Sequence, residues 1–129
     1  MAVEHTQADL ETVRAFVAER RRQRRRSLES RLERARRDFS LIVAAIAERY
    51  DPLRIYQWGS LIDGKHFTEL SDIDVAVEGV TDARAFFELL GAAEALTDLP
   101  LDIVQIEHVH PAYAEGIRRR GRIVYERGS

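Results

Sequence analysis

The chain contains no cysteine, which excludes a disulfide framework, a thiolate metal site and a cysteine nucleophile. It has one lysine, one methionine and one tryptophan. Three prolines and seven glycines in 129 residues exclude a collagen-like or low-complexity chain. Apolar runs are short, such as 41–47, far from the ~20 residues that a membrane span needs. The first twenty residues are dotted with carboxylates and lack the apolar stretch of a signal peptide. These absences give the expectation of a cytoplasmic protein with no membrane contact. What is present is enough for one domain and one core.

The charge is unevenly spread. Net charge is −2, yet residues 1–50 hold twelve arginines against eight carboxylates. Residues 51–129 hold eight basic and fourteen acidic groups. A basic front and an acidic back suggest two jobs within one domain.

Residues 7–49 lack Gly and Pro and are rich in Arg, Glu, Ala and Leu, all good helix formers. Leu28, Leu32, Ala35, Phe39, Ile42 and Ile46 repeat at spacings of 4, 3, 4, 3 and 4, which draws one helical stripe. Asp51-Pro52 should end that helix. A separate apolar cluster, Leu10, Val13, Phe16 and Val17, precedes six arginines within Arg20–Arg26. Mutual repulsion there leaves open one long helix or two with a hinge near Arg26–Ser27. The division expected is a helical extension over 1–27 and a domain over 28–129.

The second half changes character. Strands are expected at Leu53–Trp58, Ile73–Val77, Leu101–Ile106 and Arg122–Tyr125. Helices are expected from Thr81-Asp82 to about Ala95, and from Pro111 to Arg120-Gly121. The alternation predicts an α/β fold.

Three carboxylates stand out by position. Asp72 and Asp74 flank Ile73 in an apolar strand, so they share one face. Asp102 interrupts a second apolar strand. If those strands are neighbours, three carboxylates converge and repel, and a hard divalent cation would relieve the repulsion. Upstream, Gly59-Ser60 follows a strand directly. Glycine permits a tight turn whose backbone N–H groups, with the serine hydroxyl, can hold phosphate oxygens.

The combination Trp58-Gly59-Ser60, then Ser71-Asp72-Ile73-Asp74-Val75-Ala76-Val77, then Leu101-Asp102-Ile103-Val104, resembles the nucleotidyltransferase signature of the DNA polymerase β superfamily. Within it the chain is most similar to the minimal nucleotidyltransferases (MNT), including antitoxins of HEPN/MNT toxin–antitoxin pairs. Residues 117–126 match the closing helix, glycine and short strand of that group. The resemblance spans about residues 38–127 and implies a polymerase-β-like fold, a small mixed sheet flanked by helices. It further implies Mg²⁺ on Asp72, Asp74 and Asp102, with Asp102 also helping to deprotonate the acceptor. Gly59 and Ser60 would hold the β- and γ-phosphates of ATP. The implied reaction is AMP transfer to a hydroxyl, a tyrosine of a HEPN-type toxin, the work of a protein adenylyltransferase and antitoxin. The alternatives are a non-catalytic antitoxin of the same fold, and transfer to a small molecule such as an aminoglycoside.

Lys65 lies between turn and carboxylates and is a candidate phosphate contact. His108 and His110 lack a third ligand and are expected to be solvated or structural. Trp58 is expected in the core. Asp63, Glu69 and Glu78 are expected at the surface. For the arginine run, docking of a protein partner and a merely solvated helix end stand level, with RNA contact behind both because no aromatic residues interleave the arginines. The N-terminal helices could also pair two copies of the chain.

Overall fold

The computed structural model describes residues 6–129; residues 1–5 of the expected extension lie outside them. A single helix, α1, runs over Gln7–Tyr50. Thr6 caps it through a reciprocal pair with Asp9, in which each side chain accepts from the other residue's backbone N–H. At 1.5 Å per residue its 44 residues span about 66 Å. It passes through Arg26–Ser27 without a break. The arginines there are exposed, and Glu19 accepts hydrogen bonds from both Arg22 and Arg26, which eases their repulsion. Asp51, in left-handed conformation, and the buried Pro52 end it.

The strands are β1 (Arg54–Trp58), β2 (Ile73–Glu78), β3 (Leu101–Gln105) and β4 (Arg122–Glu126). Two shorter helices follow β2 and β3: α2 (Ala83–Glu94) and α3 (Pro111–Arg120). The sheet order is β3-β2-β1-β4. β1 pairs antiparallel with both β2 and β4, whereas β2 and β3 run parallel across the α2 crossover. The sheet is therefore mixed, as expected.

Strand alternation divides the interior into two layers. Ile55, Ile73, Val75, Val77 and Ile103 face the second half of α1 and α2, and pack on Ala35, Phe39, Ile42, Ile46, Leu89 and Ala93. The α1 stripe read from the sequence is this contact; Leu28 and Leu32 reach its edge half-buried. Tyr56 and Ala76 face the other way, onto Ala114 and Ile117 of α3. Burying a Leu or Ile side chain contributes about 1.5–3 kcal/mol, so these layers fix the sheet between its helices. None of residues 7–27 is buried.

Glu78 corrects the expectation of a surface charge. It shares the α3 face with Asp74 and Ala76 and is 7% exposed. Arg118 of α3 donates to it at 2.8 Å and Arg54 at 3.1 Å. The Tyr56 hydroxyl lies 3.3 Å away. Burial alone would raise its carboxyl, but the hydrogen bonds from Arg118 and Arg54 outweigh burial and hold it below the ordinary range. This pairing ties α3 to the sheet.

Gly121 ends α3, as expected, but not through a left-handed turn. Its φ is −75°, and a Cβ there would stand 2.5 Å from the Ile117 carbonyl and 3.1 Å from that of Gln57. The glycine is needed for close backbone approach.

Candidate active site

Strand register assembles the site. Asp74, second residue of β2, pairs with Trp58 on one side and Asp102 on the other. All three lie on the α3 face of the sheet. Asp72 stands just before β2 and is exposed, whereas Asp74 is half-buried. Burial, then the charge of Asp102, then that of Asp72, pushes the Asp74 carboxyl up to about 6. Asp102, the register partner of Asp74, and Asp72, two residues before it, thus both oppose its ionisation.

Gly59 follows Trp58 with φ +78° and opens a short 3₁₀ turn, Gly59–Leu61. A Cβ at Gly59 would overlap Oδ2 of Asp74. Only glycine lets the turn sit against that carboxylate. Ser60 is half-buried in the same turn. The phosphate-turn candidates and the carboxylates therefore meet. Lys65 is exposed in the loop after the turn, where its backbone N–H donates to Asp63 at 2.9 Å.

A cleft of about 420 Å³ opens beside Gly59. Trp58, Ile62 and Asp63 form one wall, and Tyr113 and Arg120 of α3 the other. Trp58 is not fully in the core as expected: its ring meets Tyr113 edge-on at 5.2 Å, and its buried Nε1 has no hydrogen-bond partner. Tyr113 and Arg120 belong to none of the signature motifs in the sequence. Their spacing of seven places both on one flank of α3, a signal visible only once Pro111 is taken as the helix start. His110 caps α3, accepting from Ala112 N–H through Nδ1 at 3.1 Å. His108 is exposed.

Among the described residues no three His, Asp or Glu side chains already stand at metal-binding distances. The donor set nonetheless fits a hard cation: oxygen ligands only, mutually repelling, with glycine leaving room against Asp74. No helix among the described residues is long and apolar enough to cross a membrane.

A turn that can hold phosphate beside converging carboxylates, on a mixed four-stranded sheet, defines a nucleotide-transfer class of fold. Residues 42–129 match the family described as polymerase beta, nucleotidyltransferase, and the chain belongs to that family. No curated protein matches it significantly. Among solved structures it is similar to one described as a minimal nucleotidyltransferase. That match has 25% identity, covers 70% of this chain and 93% of the other, and has a TM-score of 0.58. A toxin–antitoxin structure with AMP-PNP is 22% identical over 67% of this chain and 73% of its own, with a TM-score of 0.55. The toxin–antitoxin MntA–HepT shows 19% identity over 70% and 72%, with a TM-score of 0.53. The last two likenesses establish the shared fold.

Proposed function

We propose that this protein transfers AMP from ATP to a hydroxyl, a tyrosine, on a partner HEPN-type toxin, and thereby acts as its antitoxin. The observation that carries the reading is the Trp58–Asp74–Asp102 row with Gly59 closed over Asp74. The toxin–antitoxin likenesses support the partner class. The AMP-PNP in one of those structures supports a nucleoside triphosphate.

Each residue then has a task. Asp72, Asp74 and Asp102 would hold Mg²⁺, which supplies charge neutralisation for an in-line displacement at phosphorus. Gly59 and Ser60 grip the outer phosphates and orient the leaving pyrophosphate. Asp102, at the β3 side of the row, accepts the proton of the attacking hydroxyl. The cleft between Trp58 and α3 receives the nucleoside, and Arg120 adds positive charge to its wall. Asp74, with its carboxyl raised in the free protein, binds most strongly once ionised. The N-terminal part of α1 engages the partner, since none of residues 7–27 is buried in the core.

Incubation with ATP, Mg²⁺ and the product of the neighbouring gene tests the reading. The partner should gain about 329 Da per AMP added. An unchanged partner mass after prolonged incubation would overturn it.

A further inference from the structure

We propose that Tyr113 is itself a nucleotide acceptor, so that the chain labels its own α3 when no partner is present. The inference rests on the transfer reading above and extends it to a modification site on this chain.

The four tyrosines have very different surroundings. Tyr50 has its hydroxyl buried, and Tyr56 is 3% exposed and bonded to Glu78. Tyr125 donates to Asp51 at the far end of β4. Tyr113 alone is both accessible, at 42% exposure, and set in the wall of the candidate nucleotide cleft. Its ring is held edge-on by Trp58, and Trp58 is the register partner of Asp74. Burial raises its phenol, and the charges of Asp102 and then Asp74 raise it further. Trp58, Asp74 and Asp102 are neighbours across the sheet, so the carboxylates that would handle an attacking group lie on the same face as the Trp58–Tyr113 contact.

The step balances without any further reagent. The Tyr113 Oη attacks the α-phosphorus of the bound nucleoside triphosphate, and an O–P bond forms. The bond from the α-phosphorus to the bridging oxygen of the β-phosphate breaks, and pyrophosphate leaves. The phenolic proton passes to the Asp102 carboxylate and from there to solvent. Tyr113 stands in the first turn of α3, and Ala114 and Ile117 anchor that helix to the sheet, so the α3 packing does not depend on the phenol.

The test uses the full chain alone with ATP and Mg²⁺, followed by intact mass and fragmentation. The expected result is a single gain of about 329 Da mapped to Tyr113. Trp58 is the only tryptophan, so its emission gives a second readout. The change should survive removal of free nucleotide, since the attached nucleoside stays beside the indole. Tyr113→Phe, with folding checked by thermal melt, should show neither the gain nor the lasting change in emission. A chain that modifies its partner but never itself would overturn the proposal and leave the transfer reading standing. A gain that persists in Tyr113→Phe, or maps elsewhere, would overturn it as well. Absence of transfer to chain and partner alike would overturn both.

Discussion

Asp74 and Asp102 are direct register partners on adjacent parallel strands, one residue in from the start of each. Parallel pairing sends both side chains to the same face, and the α2 crossover is what makes the pairing parallel. The candidate site is therefore a product of topology: an antiparallel β3 would have set these carboxylates at opposite ends.

Gly59 is the first residue to change. Alanine there overlaps the Asp74 carboxylate and occupies a left-handed conformation that costs an L-residue about 1–2 kcal/mol. Gly59→Ala should lower the transfer rate by about 100-fold or more, since small misplacements in a reacting site are that costly. Single-turnover kinetics would measure it. A rate within about threefold of the unaltered protein would show that the turn does not position the substrate.

The raised Asp74 carboxyl makes metal-free stability depend on pH. In the folded chain this group keeps its proton up to about pH 6, whereas in the unfolded chain it loses it near the ordinary value of 3.8. The folded state binds more protons across that window. The stabilisation is thus full below about pH 4 and lost as pH rises through 6. In EDTA the Tm difference between wild type and Asp74→Asn should swing toward the variant over that range. Mg²⁺ at pH 7 should restore several degrees to the wild type alone. Parallel Tm profiles for the two proteins would falsify the assignment.

Glu78 supplies a test of the scaffold. Its folded-state carboxyl lies below the ordinary range, so its contribution is present at neutral pH and lost on acidification. Glu78→Gln removes the charge that pairs with Arg54 and Arg118. Both arginines are partly exposed, so the expected cost is about 1–3 kcal/mol, below that of a fully buried pair. A lower urea midpoint with unchanged slope would report it. An unshifted midpoint would mean that α3 is held by its apolar contacts alone.

Much of this molecule is legible in its sequence, for identifiable reasons. The α1 stripe, the strand alternation around Asp74, the cap at Asp82 and Pro111 at a helix start are local signals, and each element lies within a residue or two of its expected place. The burial of Glu78 and the edge contact of Trp58 carry no local signal, because both depend on α3 packing across the sheet, between residues 40 or more apart. Tyr113 and Arg120 carry no motif; only the crossing of α3 over the strand ends brings them to Gly59. The continuity of α1 through its arginines was equally undecided, because repulsion and helix propensity oppose each other there.

The extension has its own expectation. Phe16 is 62% exposed and Val13 59%, beside an exposed arginine block. Deleting residues 1–27 should change stability by less than about 1 kcal/mol, because surface residues contribute little. It should abolish co-elution with the partner in size-exclusion chromatography. Co-elution that survives the deletion would place the docking surface elsewhere.

The most direct test of the account is Asp72→Asn combined with Asp74→Asn, compared with wild type for ATP-dependent mass gain on the partner. The account predicts a gain of about 329 Da or multiples of it with the wild type, and none with the variant, although the variant still binds the partner. Equal gain with both proteins, or full neutralisation of the toxin by the variant, would contradict the claim that these carboxylates carry out nucleotide transfer.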